Sequence, residues 1–109
     1  MKENTVNEGK TTAIISYITI IGTILALLMN SSKKNSFAAF HIRQMMGLVI
    51  LGLINQYFIK AYFSDIAAVI IAIGLFISWI IGFVGAVKGQ EKVIPFIGDK
   101  FQELFRNIN

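Results

Sequence analysis

Long uncharged stretches constrain this chain more than any other feature. Thr11–Met29 has 19 consecutive residues without a charge, and Ile66–Val87 has 22. At a rise of about 1.5 Å per residue, helices of these lengths measure about 29 and 33 Å, close to the roughly 30 Å hydrocarbon core of a bilayer. A third apolar stretch is centred on Met45–Ile54. We therefore predict an all-α integral membrane protein with three transmembrane helices, at about 11–29, 37–59 and 66–87.

The composition favours the same class. Of the 109 residues, 55% are hydrophobic and 15% are charged, whereas soluble domains carry roughly 25% charged residues. A soluble fold this short buries only about 60–65% of its unfolded surface, so it cannot hide so much apolar area. A bilayer removes this difficulty because it is itself an apolar solvent.

Several classes of chemistry are not expected. The chain has no cysteine, and its single histidine, His41, cannot form a histidine metal site alone. We find no nucleophile, base and orienting group that could act together, so we expect no enzyme, no catalytic residue, no metal and no cofactor. The basic residues are spread over loops and do not alternate with aromatic residues, which argues against a nucleic-acid partner. Membrane lipids and other integral membrane proteins are the expected partners.

Three regions follow from the pattern: a polar tail over 1–10, a transmembrane domain over 11–89, and a turn with an amphipathic helix over 90–109. Gly89 is expected to end the third helix, and Pro95 prevents its continuation. Asp99–Ile108 repeats apolar residues with helical spacing, at Phe101, Leu104, Phe105 and Ile108. Such a short amphipathic helix is expected to lie flat on the membrane or to dock on a partner.

The distribution of basic residues predicts an orientation. With three crossings, Met1–Lys10 and the loop at Lys60 share one side, which holds three basic residues. The Lys33–Arg43 region and the C-terminal tail share the other side, which holds seven. Because basic residues are enriched on the cytoplasmic side, we expect the C-terminus in the cytoplasm and the N-terminus outside.

Each predicted helix carries one stripe of small or polar residues, and such stripes are typical of helix contacts in membranes. The stripes are Thr12, Ser16, Thr19, Thr23, Ala26 and Asn30 on the first helix, His41, Gln44, Leu48, Gly52 and Asn55 on the second, and Ala67, Gly74, Ser78, Gly82, Gly85 and Gly89 on the third. They either join the three helices to one another or bind a partner helix. No acidic residue lies within a predicted span, which argues against a conducting path.

His41 and Gln44 are expected to organise the cytoplasmic face together with the turn over 88–98. They share one helical face with Asn55, and a helix end followed by a proline-containing turn leaves backbone carbonyls without intrahelical donors. The alternative is that the two side chains contact a partner or a lipid headgroup. Gly82, Gly85, Gly89, Pro95 and Gly98 complete the predicted contact residues.

Two motifs resemble a known family. Phe37-Ala-Ala-Phe40-His41-Ile-Arg43-Gln44 opens the second helix, and Lys88-Gly89 is followed by Ile94-Pro95-Phe96-Ile97-Gly98. This resembles the small bacterial membrane proteins related to the Tic-twenty subunit of the chloroplast inner-envelope protein-import translocon. The matching positions are His41, Gln44, Lys88, Gly89, Pro95 and Gly98. Plastid members have a fourth spanning helix, whereas Asp99–Ile108 is shorter and more polar.

The resemblance implies a small non-enzymatic accessory subunit of a membrane complex, in protein translocation or membrane-protein assembly. It also implies that the His41 end of the second helix and the Pro95 turn meet on one membrane face. The alternative function is a pore or small transporter that forms by self-association through the glycine stripe of the third helix.

Overall fold

The computed structural model describes residues 3–108, which form five helices and no strand within that range. The helices are α1 (Glu3–Ser16), α2 (Ile20–Lys33), α3 (Ser36–Tyr62), α4 (Asp65–Val87) and α5 (Gly98–Leu104). α3 has π-helical hydrogen bonding over Asn55–Ile59. The all-α prediction is confirmed.

The predicted continuous helix over 11–29 is wrong. α1 extends from Glu3 to Ser16, so it begins inside the predicted polar tail. Met1 and Lys2 of that tail lie outside the described residues. α2 begins after Thr19, whose backbone is extended and whose hydroxyl accepts a hydrogen bond from the Gly22 N–H at 3.2 Å. A threonine in this position is a common helix N-cap, so the second half of the apolar stretch starts a separate helix.

α1 and α2 pack against each other as an antiparallel hairpin. At the elbow, the Thr23 hydroxyl donates to the Ser16 carbonyl at 2.8 Å. At the open end, the Asn35 side-chain amide donates to the Thr5 carbonyl at 2.8 Å. With 14 residues each, both helices are about 21 Å long. Neither one alone reaches the thickness of a bilayer core.

α3 and α4 form a second antiparallel pair, and their bounds lie close to the predicted 37–59 and 66–87. Asn35 caps α3 and Ser64 caps α4. With 27 and 23 residues, they are the two helices in the described part of the chain that are long and apolar enough to cross a membrane. A third span is not found there, because the break near Tyr17 divides the first apolar stretch.

The long axis of the bundle, 46 Å, has two different ends. The near end contains the start of α1, the α2–α3 junction, the end of α4 and the C-terminal segment; the far end contains the turn between α3 and α4. Residues 3–10 lie at the near end, because the Thr5 carbonyl is bound at the α2–α3 junction. Lys60 lies at the far end, whereas the three-span prediction put the two on one side.

The C-terminal helix docks on the chain itself. Phe101 is buried, and its ring occupies the space where a side chain on Gly47 of α3 would lie. The Gln102 amide donates to the Phe40 carbonyl at 2.8 Å. Leu104, which belongs to the same predicted apolar face, is 73% exposed. Only part of the apolar face of α5 therefore packs on α3, and the rest is exposed.

Candidate functional site: a buried polar network

Three buried polar side chains meet at the near end, from the elbow and from α3. Tyr17, His41 and Gln44 are at most 1% exposed. The Tyr17 hydroxyl lies 2.6 Å from His41 Nδ1, and Gln44 Nε2 donates to the same hydroxyl at 3.2 Å. The helical spacing of His41 and Gln44 puts both on one face of α3, and the break after Ser16 lets the Tyr17 ring reach them.

The network continues into the segment that follows α4. His41 Nε2 lies 2.9 Å from the Gln90 carbonyl oxygen. Gln44 Nε2 donates to the Lys92 carbonyl at 3.0 Å, and Gln44 Oε1 accepts from the Ile94 N–H at 2.8 Å. Two side chains of α3 therefore hold three backbone groups of segment 90–94, so this segment contacts the chain's own helix.

These contacts define the hydrogen positions on His41. A carbonyl oxygen can only accept, so Nε2 carries a hydrogen and donates it to Gln90. Tyr17 already accepts from Gln44, and in a neutral imidazole its own hydrogen goes to Nδ1. A doubly protonated ring would leave the Tyr17 hydrogen in need of another acceptor. The arrangement therefore favours the neutral ring, with the hydrogen on Nε2.

Aromatic rings enclose the network. The rings of Phe37 and Phe40 lie edge-on to His41, with centroids at 4.9 and 5.1 Å. Trp79 of α4 donates its indole N–H to the Tyr17 carbonyl at 2.8 Å and stacks on Phe83 at 5.2 Å. The indole thus satisfies a backbone carbonyl that the break between α1 and α2 leaves without an intrahelical donor.

Glycines give the elbow and the returning segment room to approach α4. A Cβ atom on Gly82 would lie 2.7 Å from the Tyr17 hydroxyl oxygen, and one on Gly85 would lie 2.6 Å from Lys92 Cβ. Gly89 follows α4 with a positive φ of 73°, which favours glycine.

Pro95 and Gly98 belong to the same neighbourhood. Gly98 lies against Gln44, since an added Cβ would be 3.2 Å from Gln44 Oε1. Pro95 sits in the turn before α5 and borders an open groove on α4. Five of the eight predicted contact residues are glycines or the proline of the turn. Four of these five, Gly82, Gly85, Gly89 and Gly98, lie around the network or the segment that it holds.

Asn55 is separate from the others. It shares the α3 face with Gln44, but it lies at the far end, where its amide donates to the Ala68 carbonyl of α4 at 2.9 Å. Its Oδ1 is the one buried side-chain polar atom without a hydrogen-bond partner in the described residues. The network around His41 is therefore closed, whereas the contact at Asn55 is only half satisfied.

Sequence reasoning missed Tyr17 and Trp79, and it gave Arg43 no partner. Arg43 Nε donates to the Ile108 carbonyl at 3.0 Å, so it holds the end of the C-terminal tail. Burial raises the pKa of the nearby Glu91 carboxyl, and the positive charge of Arg43 acts in the opposite direction. A tyrosine before an Ile-Thr pair inside an apolar stretch was the available signal for the elbow.

The site has a structural role: its hydrogen bonds hold segments of the chain together. Its donors and acceptors are satisfied by one another and by backbone groups, so they lock three segments together at the near end. Comparisons with protein-family models, curated proteins and solved structures give no match for this chain.

Proposed function

We propose that this chain is a small non-enzymatic membrane protein that acts as an accessory subunit of a larger membrane complex. The observation that carries the membrane assignment is the outer surface of α4. In the most apolar stretch of 18 residues in α4, only 11% is buried inside the structure. The core helix of a soluble protein would be mostly buried.

The exposed residues of α4 are large and apolar. Ile66 is 75% exposed, Ile70 65% and Phe76 61%. Soluble monomers rarely expose contiguous apolar patches beyond a few hundred Å². Lipid chains cover such a surface at no cost, because they are as apolar as the side chains.

The proposed topology has two spans, α3 and α4, and one hairpin. The α1–α2 hairpin enters the apolar layer from the near end and returns to the same side. Its elbow keeps its carbonyls paired with Thr23 and Trp79, as non-helical backbone at membrane depth requires. Both described ends of the chain then lie on one side of the membrane.

The charge distribution supports a cytoplasmic near end. Among the ten lysine and arginine residues, Lys2 lies outside the described part and Lys60 lies at the far end. The other eight belong to segments at the near end: Lys10, Lys33, Lys34, Arg43, Lys88, Lys92, Lys100 and Arg106. This eight-to-one ratio is stronger than the seven-to-three ratio of the three-span topology, and it points to the cytoplasm.

The accessory role in protein translocation or membrane-protein assembly rests on the Tic-twenty resemblance. Its support is that the matching residues His41, Gln44 and Gly98 lie together at the near end, beside the segment that carries Pro95. This proximity of residues that are far apart in sequence is the structural observation in favour of the proposed role.

The test uses inside-out membrane vesicles from cells with and without this protein. We expect slower translocation of a secretory precursor, or slower insertion of a membrane protein, when the protein is absent, and restoration when it is supplied. A tagged copy purified in mild detergent should elute in a hetero-complex. Unchanged rates together with a clean homo-oligomer would reject the accessory role in favour of a self-associating pore.

A further inference from the structure

Two adjoining hollows, together called the α4 groove, lie along the outer face of α4. Its deeper part, about 380 Å³, lies between α4 and the turn that contains Pro95 and Phe96. Its outer part, about 270 Å³, lies at the near end beside Lys88 and Lys92. Ile81 lines both parts, so the two hollows adjoin on the same face of α4 and both open to the side of the bundle.

The two parts differ in chemistry. The deeper part is lined by hydrocarbon side chains and by Gly74 and Ser78. The outer part adds two ammonium groups and the Gln90 amide. In the described structure, no acidic side chain lines either part. By contrast, Lys33 borders a near-end cavity that it shares with Glu8. The α4 groove therefore combines an apolar trough with an unbalanced positive end.

The length of the groove fits one leaflet. Gly74 and Lys88 are 14 residues apart on and just after α4, which corresponds to about 21 Å. Half of a hydrocarbon core and one headgroup layer together measure about 20–22 Å. A lipid whose phosphate lies level with Lys88 would thus end its acyl chain near Gly74.

The rim of the groove is held in an unusual conformation. Phe96 has a φ of 73°, a left-handed value that non-glycine residues rarely adopt. Its side chain is fully exposed and forms a wall of the deeper part. The exposed Phe96 ring therefore lies at the edge of the deeper part.

We propose that this groove binds one anionic phospholipid of the cytoplasmic leaflet. Lys88 and Lys92 hold the phosphate, and one acyl chain lies along Ile81 toward Gly74, against Phe96. Basic pockets beside spanning helices on the cytoplasmic side bind such headgroups. This inference rests on the membrane topology proposed above, and it adds a ligand and a site to it.

The first test measures bound lipid by native mass spectrometry of the detergent-purified protein. Phosphatidylglycerol is compared with phosphatidylcholine of the same acyl chains. The double variant Lys88→Gln/Lys92→Gln should bind phosphatidylglycerol roughly 10- to 30-fold more weakly. The matched control, Lys33→Gln/Lys34→Gln, removes the same charge at the same end and should retain binding.

The second test blocks the trough. Gly74 and Gly52 both have open space where a side chain would be added, so replacement of either by leucine is compatible with the fold. Gly74→Leu should reduce phosphatidylglycerol adducts several-fold, because the leucine fills the acyl path. Gly52→Leu, on α3 and outside the groove, should leave them unchanged.

Three results would overturn the site. The protein could bind both lipids equally, or millimolar inorganic phosphate could displace phosphatidylglycerol. Alternatively, the protein could form a homodimer that Gly74→Leu converts to monomer without loss of lipid. The second result assigns the lysines to a soluble anion and the third assigns the groove to a second copy. Alkaline carbonate extraction tests the membrane assignment separately. An embedded protein resists extraction, whereas a protein that is not embedded is released.

Discussion

At the near end of the bundle, Tyr17, His41 and Gln44 join three segments, namely the elbow, α3 and residues 90–94, whereas at the far end α3 and α4 meet alone. The near end has a network in which donors and acceptors are paired. The far end has a single interhelical hydrogen bond, from Asn55 to Ala68, and exposed apolar side chains around it.

This difference shows which interactions specify each end. Within lipid there is no hydrophobic force between helices, so packing and hydrogen bonds must determine their arrangement. The near end has both, and it contains the break, the return of the chain and the C-terminal helix. The far end needs little specificity, because one short turn already joins its two helices.

Gln44→Leu should have the largest effect, because it breaks the near end at its centre. It leaves the Lys92 carbonyl and the Ile94 N–H without their side-chain partner, while the Tyr17 hydroxyl loses one donor but keeps its contact with His41. Each buried polar group left without a partner costs about 1–3 kcal/mol. We expect faster tryptic cleavage after Lys92 in inside-out vesicles.

The matched control for Gln44 is Gln56→Leu, the same substitution at an exposed site near the far end of α3. It should leave the cleavage rate at the wild-type value. Equal rates in all three proteins would show that segment 90–94 is held by something other than Gln44.

Gly82→Leu should come next. Its first added atom would lie 2.7 Å from the Tyr17 hydroxyl oxygen, and overpacking of this kind costs about 1–3 kcal/mol. We expect a lower thermal unfolding midpoint in detergent, followed by circular dichroism. Gly74→Leu, on the same helix with open space around it, is the control. An equal decrease in the unfolding midpoint of both variants would show that the effect of Gly82→Leu does not come from its contact with Tyr17.

Trp79→Phe should have a smaller effect. The phenyl ring keeps the stacking on Phe83, but the hydrogen bond to the Tyr17 carbonyl is lost, which costs about 1 kcal/mol. The same thermal measurement applies. In a protein that already carries Gly82→Leu, Trp79→Phe should lower the unfolding midpoint by less, because the elbow is already displaced. If the two decreases simply add, the two residues do not share a contact with the elbow.

Asn55→Leu should have the smallest effect. It removes the bond to Ala68, worth about 0.6 kcal/mol for interhelical bonds in membranes, but it also removes the unpaired Oδ1. We expect an unfolding midpoint close to that of wild type. A decrease as large as that of Gln44→Leu would show that the far end is also held by polar contacts.

The sequence predicted α3, α4 and the stripes of small and polar residues, because apolar runs bounded by charge and helical spacing are local signals. Thr12, Ser16, Thr23, Ala26 and Asn30 are buried, as the stripe indicated, whereas Thr19 of the same stripe and Gly74 of the third-helix stripe are exposed. The same stripe arises, however, whether the chain continues straight or folds back at the elbow. A stretch of 19 uncharged residues fits a bilayer so well that it concealed the N-cap at Thr19.

The site was only partly predictable for a related reason. His41 and Gln44 stood out because polar side chains in an apolar helix need partners, and the turn after α4 offered backbone groups. Tyr17 and Trp79 carry no sequence signal that distinguishes their side chains from those of ordinary packing residues. Their roles depend on the break between α1 and α2, which brings a free carbonyl and a phenol to α4 and α3.

Cysteine accessibility tests the central claim, that both ends of the chain lie on one side of a membrane crossed by α3 and α4. The chain has no cysteine, and single cysteines at Asn4, Ser64 and Asn107 would replace exposed residues. On intact cells, an impermeant maleimide should label position 64 alone; in inside-out vesicles, it should label positions 4 and 107 and spare 64. Labelling of positions 4 and 64 together on intact cells, with 107 protected, would contradict the account.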